Sequence, residues 1–156
     1  MDYNLKKDSL KVADRLRGLC SRREYPVSDV LKKAVVALDG DREEAEKVIA
    51  QLIEEKYIDD SRYAAAYARD KASIAGWGEV KIRHMLMAKG ISPEIIAESL
   101  DEIDEMKAGQ KLRRMLEVKA RSLKDDPQKK LKLLRFALGR GYAYDEVVGI
   151  VDGLLR

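Results

Sequence analysis

Three stretches spaced 51 residues apart decide the fold: REEAEKVIAQL at 42–52, PEIIAESLDEI at 93–103 and YDEVVGIVDGL at 144–154. Their apolar residues recur three or four places apart, so in each stretch they share one face of an α-helix. The shift superimposes Ala45, Ile96 and Val147, then Ile49, Leu100 and Val151, then Leu52, Ile103 and Leu154. One amphipathic helix therefore occurs three times.

The same shift relates the residues that precede each stretch. It superimposes Leu31, Ile82 and Leu133, then Ala34, Met85 and Phe136, then Leu16, Tyr67 and Val118. It also nearly superimposes Gly40, Gly90 and Gly141, which we interpret as helix terminators. A single offset that aligns apolar residues and glycines together indicates a repeating unit of three helices.

Capping signals divide the repeats into helices. The dipeptides Ser92-Pro93 and Asp126-Pro127 each indicate an N-cap followed by proline at the first helical position, and Asp41 with Glu44 resembles a capping box. We predict helices at 8–24, 27–38, 42–56, 60–74, 78–89, 93–105, 107–123, 127–139 and 144–154.

The expected fold is all-α, with three tandem three-helix repeats stacked into an elongated, curved array. We place the units at 1–58, 59–106 and 107–156. Short helices bury an apolar face only against one another and the next unit, so stacking follows from the repeat. Curvature of the array would provide a concave binding surface.

Composition is typical of helices and excludes several protein classes. The 156 residues are 38% charged and 6% aromatic, with one Phe and one Trp. Charged residues interrupt every apolar run before it could span a bilayer, and the N-terminus has no apolar signal segment, so we expect a cytoplasmic protein. Cys20 is the single cysteine, which excludes an intramolecular disulfide.

Charge is distributed unequally along the chain. Residues 107–140 contain twelve basic and three acidic residues, a net charge of +9. Residues 39–60 contain nine acidic and three basic residues, a net charge of −6. The third helices are therefore negative, and the first two helices of the last unit are positive.

Catalytic chemistry is not indicated. His84 is the only histidine, Cys20 is distant from it in sequence, and there is no glycine-rich phosphate loop or metal-ligand spacing. We predict a protein that is not an enzyme and has no catalytic residue, metal or cofactor. Asp59 and Asp60 are interpreted as helix caps rather than metal ligands. Trp77 is interpreted as a structural wedge, with stacking on a base as the alternative.

The cations of the last unit favour binding over plain solvated surface. Lys129 and Lys130 lie at a helix start, where positive charge opposes the helix dipole. Lys132 and Arg135 share a face that we place opposite the apolar side formed by Leu131, Leu134 and Leu138. Acidic neighbours in the sequence are few, so we expect a polyanion or an acidic protein groove as the partner.

The central unit resembles a known family. The residues that carry the likeness are Ile58-Asp59-Asp60-Ser61-Arg62-Tyr63-Ala64, Gly76-Trp77-Gly78, Lys81-Ile82-Arg83, Leu86 and Lys89-Gly90-Ile91. They are similar to the signature of the RecX family of regulators of the RecA recombinase. The family's three tandem three-helix repeats match the units deduced above.

The resemblance implies a cytoplasmic regulator that binds the RecA–DNA filament, lies in its groove, and limits recombination, ATP hydrolysis and the coprotease activity of the SOS response in DNA repair. It also implies weaker direct binding to single- or double-stranded DNA. The expected contact residues are Arg69, Lys71, Lys81, Arg83, Arg113, Arg114, Arg121, Lys129, Lys130, Lys132 and Arg135. The motif residues interpreted as mainly structural are Asp59, Asp60, Arg62, Tyr63, Trp77 and Gly90.

Two other functions stay open. Short helices separated by glycine turns can form helix-turn-helix elements, so the chain could be an ordinary DNA-binding regulator. It could also be a protein-interaction scaffold that never touches nucleic acid. We expect a monomer that contacts no membrane, because no leftover apolar stripe demands a further partner.

Overall fold

The computed structural model describes residues 4–156, and within that range it consists of helices and the turns between them. The helices are α1 Lys7–Cys20, α2 Val27–Ala37, α3 Arg42–Glu54, α4 Asp60–Ser73, α5 Glu79–Ala88, α6 Pro93–Leu100, α7 Glu105–Ser122, α8 Lys129–Gly139 and α9 Tyr144–Leu154. The all-α class and the tandem three-helix units are confirmed. The unit limits at 58/59 and 106/107 stay predictions.

Side-chain caps start several of these helices. The carboxylates of Asp41, Asp59 and Asp104 and the hydroxyl of Ser92 each accept a hydrogen bond from a backbone N–H three residues further on. The predicted helix 93–105 is wrong. Helix α6 ends at Leu100, and Asp104 caps the next helix, α7, which begins at Glu105.

Three other sequence predictions of helix limits are wrong. The first helix ends at Cys20 rather than at residue 24, and the third ends at Glu54 because Lys56 turns into the left-handed region with φ 65°. Asp126-Pro127 does not start α8, which begins at Lys129 with Gln128 as its N-cap. The Asp126 carboxylate instead accepts the Gln128 amide at 2.8 Å and forms a turn before the helix.

Glycines end the second helix of each unit, as the sequence predicts. Gly40, Gly90 and Gly141 have φ of 87°, 77° and 94°, a region that favours glycine because it has no Cβ. In all three units the chain therefore reverses at the same place, between the second helix and the third.

Each unit has its own apolar core. The first core is formed by α1, α2 and α3, the second by α4, α5 and α6, and the third by α7, α8 and α9. Ala45, Ile96 and Val147 are buried in the three cores, as the shift of 51 predicts. The third helices are therefore equivalent across the units.

The shift of 51 is wrong for the first helices. The buried residues that recur every four places are Val12, Leu16 and Cys20 in α1, Ala64, Ala68 and Ala72 in α4, and Leu112, Leu116 and Ala120 in α7. These sets lie 52 and then 48 residues apart. Tyr67 is only half-buried and Val118 is exposed, although both were aligned with Leu16. Because α6 is short, α7 begins earlier in its unit than α4 does.

The second helices of units two and three meet end to end. The backbone N–H groups of Gly78 and Val80, at the start of α5, donate to the carbonyls of Arg140 and Gly141, beyond the end of α8, at 2.8 and 3.0 Å. Opposite ends of two helix dipoles therefore face each other. A Cβ on Gly78 would collide with the Gly141 backbone, so the contact requires glycine.

The second helices of units one and two meet in a similar way. The Ser28 hydroxyl of α2 donates to the carbonyl of Lys89, beyond the end of α5, at 2.6 Å. The Lys89 ammonium pairs with Asp29 at 3.2 Å. Helices α8, α5 and α2 thus follow one another along the molecule, and we refer to this series as the spine.

Four family-motif residues lie where unit one joins unit two. Asp59 caps α4, and the Asp60 carboxylate accepts the Val27 amide at 2.8 Å. Arg62 Nε donates to the Glu24 carboxylate at 2.7 and 2.8 Å, and Tyr63 is buried in the second core. Burial raises the pKa of Asp60 above its usual value, against the opposing effect of the Val27 hydrogen bond.

Arg62 also holds the connection between the two units. Its guanidinium donates to the carbonyls of Lys56 and Tyr57 at 3.1 and 3.3 Å.

None of the helices described here is long and apolar enough to cross a bilayer.

Candidate functional site

Trp77 gathers two lysines at the start of α5. The ammonium of Lys81 lies 4.2 Å from the centre of the indole ring, and that of Lys71 lies 4.6 Å from it. Tyr67 packs edge-on against the ring, with the ring centres 6.2 Å apart. Each cation–π contact contributes about 0.5–1 kcal/mol at an exposed site. Trp77 therefore holds two positive charges together beside its ring.

A cleft of about 430 Å³ lies where α5 meets the end of α8. Its lining residues are Val80, Lys81, Arg83, His84 and Met87 of α5, with Leu138, Gly139 and Gly141 at the end of α8. None of these residues is acidic. We call it the α5/α8 cleft. Because Lys81 also contacts Trp77, this cleft and the Trp77 cluster form one continuous cationic area.

A second cleft, of about 370 Å³, lies between α7 and α8. Its lining residues are Lys111, Arg114, Met115, Val118, Lys119, Ser122, Phe136 and Arg140. The Arg140 guanidinium lies 5.1 Å from the centre of the Phe136 ring and donates to the Ala75 carbonyl at 3.3 Å. Arg140 thereby ties this α7/α8 cleft to unit two.

The four cations of α8 that were predicted to bind a partner differ in whether a carboxylate of the protein already pairs with them. Lys130 pairs with Asp152 at 2.8 Å, and Lys132 pairs with Asp126. Arg135 is exposed and Lys129 is half-buried, and neither has an acidic partner among residues 4–156. The expectation that these cations lack acidic neighbours is therefore wrong for Lys130 and Lys132, because Asp152 belongs to α9 and Asp126 to the turn before α8.

The predicted apolar side of α8 is also wrong in part. Leu133 and Ala137 are buried and Leu134 is half-buried, but Leu131 and Leu138 are exposed, on the same side as Arg135. The sequence analysis placed Leu131, Leu134 and Leu138 opposite Arg135. The buried face of α8 is instead the one that carries Leu133 and Ala137, which are four residues apart and so share one side of the helix. An apolar stripe is therefore left uncovered, although none was expected.

The remaining predicted contact residues are spread over several faces. Arg114 lines the α7/α8 cleft, and Arg121 is exposed two helical turns further along α7. Arg113 is exposed and does not line that cleft. Arg69 lies 4.0 Å from Glu102, at the limit of an ion pair. The structure thus brings Lys71, Lys81 and Arg83 together at α5, whereas Arg69 and Arg113 lie apart from them.

Several residues at these clefts were not among the predicted contact residues. They are Lys111, Lys119, Phe136 and Arg140 at the α7/α8 cleft, and Val80, His84, Met87 and Leu138 at the α5/α8 cleft. One signal could have found Arg140. It stands between Gly139 and Gly141, just as Trp77 stands between two glycines, and a side chain in such a setting lies at a close contact of elements.

Neither a metal-binding cluster nor a reactive cysteine is found among the described residues. Among residues 4–156, no group of three His, Cys, Asp or Glu side chains could hold a metal ion. Cys20 is buried, and burial raises the pKa of its thiol, which disfavours the reactive thiolate. Cations beside apolar and aromatic side chains can bind phosphates or an acidic protein surface.

The comparisons with known proteins agree on one family. Residues 59–100 match the family model described as RecX, second three-helix domain. The chain is 34% identical over 119 residues to the regulatory protein RecX of Clostridium tetani, covering 74% of this chain and 54% of the relative. It spans about half the length of the curated relatives it matches.

Two solved structures have a similar fold. The crystal structure of RecX from Lactobacillus salivarius superimposes with a TM-score of 0.79 at 24% identity, covering 95% of this chain and 94% of that one. Another crystal structure, of a regulatory protein RecX, has a TM-score of 0.82 at 23% identity, covering 93% of this chain and 72% of that one. At these identities the likeness concerns the fold alone.

Proposed function

Because this chain belongs to the RecX family, we propose that it is a non-catalytic regulator that binds the RecA–DNA filament and lowers its recombinase, ATPase and SOS coprotease activities. The relatives it matches are named regulatory proteins. Acting on a DNA-bound filament would also make it a cytoplasmic protein.

The observation that carries the proposal is the family match of residues 59–100. This unit contains Lys71, Trp77, Lys81 and Arg83, the residues that form the continuous cationic area at α5. The residues that match the family model thus include the α5 side of the acid-free α5/α8 cleft. We therefore propose the α5 side of the molecule as the side that faces the filament.

We propose a supporting role for the cations of unit three. Arg114, Arg121 and Arg135 are exposed and Lys129 is half-buried, and none of the four has an acidic partner among the described residues. Positive side chains without internal partners are suited to phosphates, whose contacts strengthen binding without reading the sequence. This role supports weak direct binding to DNA.

The test compares the affinity of the chain for the filament with its affinity for the DNA on which the filament is assembled. The chain is titrated against RecA filaments assembled on single-stranded DNA and against the same DNA alone, at two salt concentrations, while RecA ATP hydrolysis is followed. We expect tighter binding to the filament than to the DNA and a fall in ATP hydrolysis. Equal binding to both, with unchanged ATP hydrolysis, would favour an ordinary DNA-binding regulator. Binding to neither would contradict both functions.

A further inference from the structure

Helices α5 and α8 carry the same pattern over eight residues. The pattern is VKIRHMLM at 80–87 and LKLLRFAL at 131–138. The third residues, Ile82 and Leu133, are fully buried in their cores. The seventh residues, Leu86 and Ala137, are fully buried as well. The two helices are thus equivalent by burial as well as by sequence.

The first and last residues of the pattern are apolar, yet they are exposed. The exposed fractions are 55% for Val80, 60% for Met87, 42% for Leu131 and 43% for Leu138. Folding does not require apolar residues there, because other positions fill the cores. A single exposed apolar residue is ordinary, but the same pair of positions left exposed in two units is a pattern that calls for a binding role.

These exposed residues form one strip along the spine. Within each helix, a polar residue stands between the apolar ones on the same side, His84 in α5 and Arg135 in α8. The two helices meet end to end, and Leu138 lines the α5/α8 cleft together with Val80 and Met87. We call Val80, His84, Met87, Leu131, Arg135 and Leu138 the spine strip. At 1.5 Å per residue, the two helices together extend it to about 30 Å.

The charge and the apolar residues of the spine strip indicate which kind of partner it binds. Glu79, the first residue of α5, is the only acidic residue in the two helices, and the lining of the α5/α8 cleft contains none. A partner with carboxylates is therefore complementary. Nucleic acid fits the apolar residues of the strip less well, because phosphates gain nothing from Met or Leu, and the strip has no Phe, Tyr or Trp on which bases could stack.

We propose that the spine strip docks a protein polymer whose subunits each present an apolar side chain flanked by carboxylates, one subunit on the α5 half and another on the α8 half. Two equivalent sites on a rigid frame bind such a polymer far more tightly than a single subunit. Burial aligns Val30 and Ala34 of α2 with Ile82 and Leu86, a shift of 52 rather than the predicted 51. The residues of α2 that correspond to Val80 and Met87 are therefore Ser28 and Val35, and Ser28 is bonded to the Lys89 carbonyl. Unit one therefore lacks the strip.

The inference rests on the proposed function in taking the RecA filament as the polymer. The test substitutes Met87→Ser and Leu138→Ser, singly and together, and measures binding to filaments on single-stranded DNA, to unassembled RecA and to the DNA alone. The matched controls are Ile74→Ser and Met106→Ser, which change residues that are 71% and 74% exposed outside the strip.

We expect each strip variant to weaken filament binding about fivefold or more, as loss of an apolar interface contact does, and the double variant to weaken it further. Binding to DNA alone should not change, and the controls should behave as the wild type. Unassembled RecA should bind the wild type much more weakly than the filament does.

The outcomes separate this inference from the proposed function. If the wild type prefers filaments but the strip variants bind them normally, only the strip is refuted. If the variants lose binding to DNA and filament equally, the strip contacts nucleic acid and the inference is wrong. If unassembled RecA binds as tightly as filaments, the two-subunit arrangement is wrong. A wild type without preference for filaments would overturn both proposals.

Discussion

Glu44 shows how one residue can join two helices of a unit. Its carboxylate accepts the backbone N–H of Lys6, the N-cap of α1, at 2.7 Å, and its side chain is almost fully buried. This hydrogen bond is the main cause that lowers the pKa of Glu44 below its usual 4.5. The ionised carboxylate is therefore favoured more in the folded protein than in the unfolded chain.

We predict that Glu44→Gln lowers the melting temperature at neutral pH. A carboxyl group with a lowered folded pKa stabilises the protein above its usual pKa, and this contribution is lost as the pH falls through the lowered value. The difference between wild type and variant should therefore shrink in acid, as circular dichroism melts at a series of pH values would record. Glu43→Gln, on the exposed side of the same turn, is the control. A difference that is the same at every pH would contradict the prediction.

The sequence predicts the hydrogen bond of the Glu44 backbone but not that of its side chain. The spacing of Asp41 and Glu44 correctly predicts that Asp41 caps α3. The capping-box interpretation of Glu44 is wrong, because its carboxylate bonds to Lys6, 38 residues earlier in the chain. A local pattern predicts local hydrogen bonds, and nothing in it tells which distant backbone group will compete for the side chain.

At the scale of elements, backbone hydrogen bonds form the end-to-end contact of α5 and α8, which helps to join two units. Sequence spacing predicts the helices and their terminating glycines, but not that the start of one helix bonds to the end of another in the next unit. Gly78 has φ −86°, a conformation open to any residue, so only the close approach of Gly141 makes glycine necessary there.

We predict that Gly78→Ala destabilises the protein by about 1–3 kcal/mol, because the new Cβ would overlap the Gly141 backbone and force the two helix ends apart. The control is Gly149→Ala on α9, where nothing lies within 4 Å of the new Cβ. That change should instead stabilise the helix by about 0.5–1 kcal/mol. Urea unfolding measures both. Equal effects of the two substitutions would mean that the end-to-end contact does not hold the units together.

At the scale of the whole molecule, a net charge counted along the sequence differs from the charge that a partner meets. Residues 107–140 carry +9, which correctly identifies the third unit as the basic one. Lys130 is nevertheless paired with Asp152, outside that segment, and Lys132 with Asp126 within it. Which cations are free depends on how α8 packs against α9 and on the turn before it, and this packing cannot be counted from sequence.

The final prediction uses two double variants that remove the same charge from the same helix. Lys129→Gln with Arg135→Gln removes free cations, whereas Lys130→Gln with Lys132→Gln removes paired ones. A lysine already neutralised by a carboxylate displaces few counterions when it meets a phosphate. A free cation that contacts single-stranded DNA contributes about 0.7 to the slope of log affinity against log salt.

We therefore expect the first double variant to flatten that slope by up to about 1.4 on single-stranded DNA, and the second to change it much less. Fluorescence anisotropy at a series of salt concentrations measures both slopes on one oligonucleotide. Because the loss of net charge is identical, long-range attraction falls equally in the two variants, and any difference between them reports local contacts. Equal slopes would mean that DNA binding depends only on the overall positive potential of the third unit. The assignment of Lys129 and Arg135 as phosphate contacts would then be wrong.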